Sequence, residues 1–265
     1  MILEWFPILI LFIFGLPIGS FLNVVIWRVP RNENIAFPPS HCPTCNTKIK
    51  PWDNIPILSY LILGGKCRNC GSSISIRYPI IEFITAILFA IAWPLTGSAI
   101  SWELFGAIIL TGFGISITVI DIEYRIIPDE LSMSALLLGL ILTPLRTHSW
   151  AGLGNAAIGI LVGGILFLII RILGRLILKK EAMGFGDVKL MAMVGAFVGW
   201  KGVLLTTLTG SLLGTVICSL LMIFNKKLRK NRVIPFGPFL VAGSLISYYF
   251  GNQIIEWYLQ HFLAM

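Results

Sequence analysis

The stretch GFGDVKLMAMVGAFVGW, Gly184 to Trp200, sets a bare carboxylate, Asp187, at the head of an almost wholly apolar run. In a soluble chain such an acid caps a helix whose apolar face enters a core. Beside a membrane the same acid is costly, and function becomes the default reason for keeping it. Composition decides between the two folds. Of the 265 residues 57% are hydrophobic and only 12% charged, with mean hydropathy +0.89. A soluble domain carries about 25% charged residues, so half that figure indicates a chain that crosses a bilayer repeatedly.

The apolar runs predict an all-α polytopic membrane protein of about eight transmembrane helices, near 4–27, 79–96, 102–120, 131–146, 153–178, 187–200, 202–224 and 236–250. No small-residue cleavage site follows the first run, which therefore reads as an uncleaved span. The run 187–200 is short for a span, and is expected to be tilted, extended into the interface or sunk in a cavity. With the N-terminus outside, 18 of the 20 Lys and Arg fall on one side: Arg28, Arg31, Lys48, Lys50, Lys66, Arg68, Arg77, Arg125, Arg171, Arg175, Lys179, Lys180, Lys189, Lys226, Lys227, Arg229, Lys230 and Arg232. Only Arg146 and Lys201 fall opposite, so the first group is expected to face the cytoplasm. The formal charge of +8 is accordingly a topology signal and gives no reason to expect a nucleic-acid partner.

Residues 28–78 form the one long polar insertion. Pro30, Pro38, Pro39, Pro43, Pro51 and Pro56 and the lack of helical periodicity predict a loop-rich cytoplasmic module. It reads HCPTCNTKIK and then GGKCRNC, so Cys42 and Cys45 make one CxxC pair, and Cys67 and Cys70 another after 21 intervening residues. Two such pairs can complete a tetrahedron around one zinc ion. Two disulfides are the competing reading, disfavoured on the reducing side of a membrane. A thioredoxin-like redox role needs a βαβ context that the pattern lacks. A four-thiolate site is closed, so zinc there would be structural. His41 is expected to be a neighbour of the site and Cys218 a buried packing residue. No internal repeat is evident.

Acids lie beside the spans at Glu82, in VIDIEYRIIPDEL (Val119 to Leu131), at Glu181 and at Asp187. Glu82 is expected to support the fold, paired with Arg77 or another base. Asp129 and Glu130 follow Pro128 and precede an apolar run, the place of an N-cap. Asp121 instead ends an apolar run, where the helix dipole disfavours an anion. Asp187 is on position alone as well explained by an N-cap as by chemistry, although Gly184 and Gly186 would let backbone approach a ligand. The predicted topology puts Asp121 and Asp187 at one membrane face. Two carboxylates brought together there share a proton, which allows an acid and a base to coexist and activate water.

Together the motifs resemble those of the type IV prepilin peptidases, bifunctional leader peptidases and N-methyltransferases of the GxGD aspartic class. GSFLNVVIWRVP (Gly19 to Pro30) is similar to their N-terminal signature. The double CxxC, with WDNIPILSY inside it and SIRYPIIE after it, is similar to their zinc-bearing loop. IDIEYRIIPD and GFGD match their two aspartate motifs. The resemblance implies catalytic Asp121 and Asp187, supporting Gly184 and Gly186, and zinc ligands Cys42, Cys45, Cys67 and Cys70. It divides the chain into a first transmembrane helix (1–27), a cytoplasmic zinc-binding module (28–78) and a membrane-embedded peptidase core (79–265). It also implies prepilin or pseudopilin substrates in a bacterial inner membrane. These would be cut after Gly at the cytoplasmic face, and the new N-terminal residue, usually Phe, methylated from S-adenosylmethionine. The residues that would hold that donor, the physiological substrate and the oligomeric state are not legible, and the cysteine loop is the expected contributor to methyl transfer. Dipole direction favours Asp187 as base and Asp121 as protonated partner. Two other readings stay open, an ion-coupled transporter and a non-catalytic zinc-module scaffold for pilus assembly. A zinc metalloprotease is disfavoured by the absence of HExxH.

Overall fold

The computed structural model describes residues 2–179, 183–224 and 234–263. Lys180, Glu181, Lys226, Lys227, Arg229, Lys230 and Arg232 lie outside the described residues. The chain forms two compact units, Met1–Ile100 and Ser101–Met265. Among the described residues six helices are long and apolar enough to cross a membrane. They carry belts of exposed large apolar side chains, such as Leu9, Ile13, Leu161, Ile165, Leu208 and Leu212. Apolar surface on this scale belongs against lipid, and the protein is a multi-pass, all-helical membrane protein.

The first unit contains α1 (Ile2–Arg28), a loop segment with the short α2 (Leu58–Ile62), and α3 (Arg77–Leu95). Helices α1 and α3 touch backbone to backbone. A Cβ at Gly15 would lie 2.6 Å from Ala86 Cα, and one at Gly19 would lie 2.6 Å from Glu82 Cα. Small residues four apart permit this approach, which replaces the absent hydrophobic drive in lipid with close packing. Buried Asn23 donates from Nδ2 to the carbonyls of Gly19 and Tyr78, both at 3.2 Å, and ties the two helices at one end.

The second unit contains α4 (Trp102–Tyr124), α5 (Asp129–Thr147), α6 (Trp150–Leu178), α7 (Phe185–Phe224) and α8 (Gly237–Tyr258), which ends in a π-helical turn, Leu259–Leu263. Ser101 caps α4 by accepting from Leu104 N–H, and Ser149 caps α6 through Ala151 N–H. The predicted runs 187–200 and 202–224 are two arms of α7, which bends at Gly199. Gly199 has φ 67° and ψ −178°, a region essentially restricted to glycine.

A bend in a membrane helix releases carbonyls that must find donors. Helix α5 supplies them. Thr143 Oγ1 donates to Ala196 O at 2.8 Å, and Arg146 donates to Phe197 O at 2.7 Å. Arg146 also pairs with Glu103 at 3.1 Å, and Tyr248 O–H donates to Glu103 O at 2.8 Å. The first arm of α7 is consequently central, with Leu190, Met191, Met193, Val194, Ala196 and Phe197 all buried. The short run is thus sunk among its neighbours, one of the three outcomes its length allowed. Cys218, expected to be buried, is only half-buried on the outer arm of α7.

Replacing Gly199 with Val forces a β-branched residue into this backbone region and against Asn155, whose Nδ2 would lie 2.6 Å from the new Cβ. The strain alone is about 1–3 kcal/mol. Thermal unfolding of the detergent-solubilised protein should show a lowered midpoint for Gly199→Val, and an unchanged one would refute this account of the bend.

Candidate active site and metal centre

Helices α4, α7 and α8 bring two carboxylates together in the second unit. Asp121 lies in the last turn of α4, with 7% of its surface exposed. Its carboxylate accepts from the backbone N–H of Gly237 at 2.9 Å. Gly237 opens α8, and Pro238 after it has no N–H, so the Gly237 amide is a free first-turn donor. The dipole of α4 opposes an anion at this place, while the N-terminus of α8 favours one. A Cβ at Gly237 would sit 2.6 Å from Asp121 Oδ2. Nothing in the sequence reading singled out Gly237. Its only signal was a Gly between Phe236 and Pro238 at the start of an apolar run.

Asp187, 9% exposed, is the third residue of α7. It does not cap the helix as its first non-helical residue. Its carboxylate instead lies beside the backbone of Gly184 and within Coulombic reach of Asp121. Gly186 packs on the connection between α4 and α5, where an added Cβ would lie 2.8 Å from Ile127 Cβ. This contact joins the GFGD segment to the IDIEYRIIPD segment. Gly184 has more room, its added Cβ meeting Asp187 Oδ2 at 3.7 Å.

The expected N-cap role of Asp129 is corrected. Pro128 occupies the cap position, with no side-chain cap bond, and Asp129 lies in the first turn. Both its oxygens take Lys189 Nζ at 2.6 Å. This pairing occupies the cation two residues from Asp187. Glu103 stands 18 residues before Asp121 on α4, or roughly 27 Å at about 1.5 Å per residue. The dyad and the Glu103–Arg146 pair thus mark opposite ends of one membrane-spanning helix.

In the first unit the four thiols converge. The sulfurs of Cys42, Cys45, Cys67 and Cys70 all lie within 4.8 Å of one another, and Cys42 and Cys70 are 3.8 Å apart. Tetrahedral ligands about 2.3 Å from a zinc ion would be roughly 3.8 Å apart, so the cluster fits such an ion. Each CxxC is a turn within a small hairpin. Cys42 N–H donates to Thr47 O and Asn46 N–H to Cys42 O; Cys67 N–H donates to Ser72 O and Gly71 N–H to Cys67 O. Asn46 and Gly71 take positive φ at equivalent places, and His41↔Lys48 and Lys66↔Ser73 form matching bridges. The hairpins are a local repeat offset by 25 residues, which the sequence reading missed. Hydrogen bonds from the backbone of Cys45, the Ser72 hydroxyl and the backbone of Thr44 hold the Cys42 thiol down to about 5. That favours the thiolate, the form that binds metal. His41 lies outside the cluster, exposed, with Nδ1 3.3 Å from Pro39 O.

Glu82 is 6% exposed and accepts from Ile57 N–H at 2.8 Å, with the Ser20 side chain close by. Beside it a cavity of about 310 Å³ is lined by residues of α1 and the loop segment, among them Ser20, Phe21, Arg28, Ala36, Asn54 and Pro56.

The second unit thus holds two buried aspartates close together among membrane-length helices, and the first a loop with a four-cysteine cluster. Residues 13–95 match the model of the bacterial peptidase A24 N-terminal domain, and residues 108–219 match the type IV leader peptidase family. The chain belongs to the type IV leader peptidase family. It is 36% identical to a prepilin leader peptidase/N-methyltransferase of Pseudomonas aeruginosa, covering 93% of this chain and 91% of the relative. Identity is also 36% to that of Aeromonas hydrophila, over 98% and 97%, and 34% to that of Neisseria gonorrhoeae, over 98% and 97%. No solved structure matches the chain.

The cluster geometry predicts about one metal ion per purified chain. Elemental analysis should show that ion largely lost from Cys67→Ser, and full retention would exclude the four-thiolate site.

Proposed function

We propose that the protein cleaves the leader of type IV prepilins or pseudopilins after Gly at the cytoplasmic membrane face, and N-methylates the residue thereby exposed, usually Phe. The observation that carries this reading is the pair Asp121 and Asp187, buried and mutually close, with Asp121 held by the N–H that opens α8, in a chain of this family. The protein sits in a bacterial inner membrane with its N-terminus outside, as the 18 to 2 distribution of basic residues supports. The leader approaches from the cytoplasm while the apolar helix of the substrate stays in lipid.

A water between the carboxylates is the nucleophile. The ionised aspartate takes its proton as the water attacks the scissile carbonyl, and the protonated aspartate gives its proton to the carbonyl oxygen. The tetrahedral species then collapses, and the leaving amine takes up a proton from the dyad. No acyl-enzyme forms. The dipole criterion that favours Asp187 as base does not separate the two, because Asp121 also faces a helix N-terminus, that of α8. The hydrogen bond from Gly237 positions Asp121, and Asp187 lies against the backbone of Gly184. Lys189, engaged by Asp129, leaves their shared proton unopposed by a neighbouring ion pair.

Zinc in the four-cysteine cluster plays a structural part, since four thiolates leave no open coordination position. S-adenosylmethionine, when bound, supplies an electrophilic methyl group for the new amine.

Co-expression with candidate prepilins, read by mass spectrometry of the mature N-terminus, tests the reading. Asp121→Asn and Asp187→Asn should each lower cleavage on the order of 10⁴-fold with membrane insertion intact. Normal processing by either variant removes that residue from the dyad. Methylation of a supplied mature N-terminus should survive both changes.

Gly237→Ala should lower kcat for prepilin cleavage by at least about tenfold through displacement of Asp121, with little change in KM. Wild-type kcat in a folded Gly237→Ala protein would show that Asp121 needs no support from α8.

A further inference from the structure

Two buried charges in the first unit have no ion-pair partner among the described residues. Arg28, 6% exposed, donates only to the carbonyls of Asn34, Ile35 and Pro38, at 2.8, 3.3 and 2.5 Å. Three of its five N–H groups are thereby used. Glu82, equally buried, accepts from the neutral Ile57 N–H and has the neutral Ser20 side chain close by. Burying unpaired ions of both signs is costly, and pairing them directly would have been the simple remedy. Arg28 lines the cavity, and so does Ser20, a neighbour of Glu82, which itself is not part of the lining.

A strained turn keeps them so. Leu58 N–H donates to Pro56 O at 2.5 Å across Ile57, whose φ of 59° and ψ of −52° make a tight three-residue turn. That conformation is rare and unfavourable, especially for a β-branched residue. It aims Ile57 N–H at Glu82, and the turn begins with Pro56 of the cavity wall. Strain held beside a cavity is characteristic of ligand sites.

We propose that this cavity binds S-adenosylmethionine, with Arg28 facing the carboxylate of its amino-acid end and Glu82, through Ser20, favouring its cationic groups. This rests on the methyltransferase reading above. A cavity of about 310 Å³ is at the lower end of small-molecule sites, which range over roughly 300–1,000 Å³. The site is apolar where an adenine ring would stack, against Phe21, Val24, Ile35 and the prolines 38, 39 and 56. It is polar at Ser40 and Asn54, which can meet ribose hydroxyls. A zwitterion matches two fixed charges of opposite sign, which neither an apolar peptide segment nor a simple anion would do. The sequence reading found no residues to hold the donor. The site is built from side chains of α1 and the loop segment, and carries no glycine-rich motif.

Equilibrium dialysis of labelled S-adenosylmethionine against the full-length protein in detergent tests this, with prepilin cleavage and metal content measured on the same preparation. Ala36→Trp places a large ring at an exposed wall position, and should abolish binding while cleavage and metal content persist. Glu82→Gln keeps an acceptor for Ile57 N–H but removes the charge, and should weaken binding by at least about tenfold. Asp187→Asn should bind like wild type. S-adenosylhomocysteine should compete at least about tenfold better than adenosine, which lacks the amino-acid end. Wild-type affinity in Ala36→Trp overturns the proposal whether or not Glu82→Gln folds, and equal competition by adenosine overturns the role of the two charges. A preparation that cleaves prepilin but binds no S-adenosylmethionine overturns it too. One that binds but does not cleave defeats the peptidase reading alone.

Discussion

A carboxylate inside a membrane protein needs donors, and the hydrogen bond from Gly237 to Asp121 is the one on which the geometry of the second unit turns. It requires the end of α4 and the start of α8, 116 residues apart, to meet at one point. The approach leaves no room for a side chain at Gly237. Asp187 stands in the first turn of α7, close to the backbone of Gly184. Gly186, pressed on Ile127, then holds the start of α7 against the connection that follows Asp121. Two helix N-termini thus replace the hydration that both acids would have in water. Lys189 and Asp129 neutralise each other nearby, so the field at the dyad comes chiefly from oriented backbone groups rather than from a counter-ion.

The opposite end of the same unit solves a second problem of unsatisfied backbone. The bend at Gly199 lets the first arm of α7 lie in the middle of the unit while the second arm turns its leucines outward. Thr143 and Arg146 take the carbonyls of Ala196 and Phe197. Because Arg146 also engages Glu103 and Tyr248, the bend is locked to the starts of α4 and the middle of α8. The helices that present Asp121, Asp187 and Gly237 are therefore fixed at both ends, which suits a site whose two carboxylates must keep a set separation.

Sequence periodicity and composition revealed the helices because lipid imposes length and apolarity on each segment separately. The anomaly of Asp121 was legible for the same local reason, since it opposed its own helix. Its remedy was not, because the compensating amide belongs to α8. Asp129 shows the reverse case. Its position beside Pro128 resembled that of a cap, while its partner Lys189 lies 60 residues on. The ligand pattern of the cysteines was plain from spacing, yet their 25-residue repeat was hidden. The hairpins HCPTCNTK and KCRNCGSS share backbone roles more than residues, and Asn46 and Gly71 serve as the same left-handed position. Glu82 was expected to pair with a base, and its neutral donor Ile57 N–H, like the carbonyls around Arg28, was not legible because these partners lie on the loop backbone.

Segment 29–76 makes the strongest case for a structural role for the thiolate cluster. Its only buried residues are Cys42 and Gly65, so it has no apolar core to order it. The remaining ties are few: Arg28 on three carbonyls, Ile57 N–H on Glu82, Arg68 on both oxygens of Asp53, and the two hairpins at the cysteines with Asn69 on Thr47 between them. Exposed pairs such as Arg68 with Asp53 add little against chain entropy. Small coreless modules are ordered by disulfides or a metal, and binding free energy at four thiolates then becomes folding free energy. A catalytic ion would need an open position. The closed set of four sulfurs offers none, and its position in an otherwise unburied loop makes its constraint on the chain its physical contribution. The walls of the cavity beside Arg28 come from this same segment, so the order that the thiolates impose extends to whatever that cavity binds.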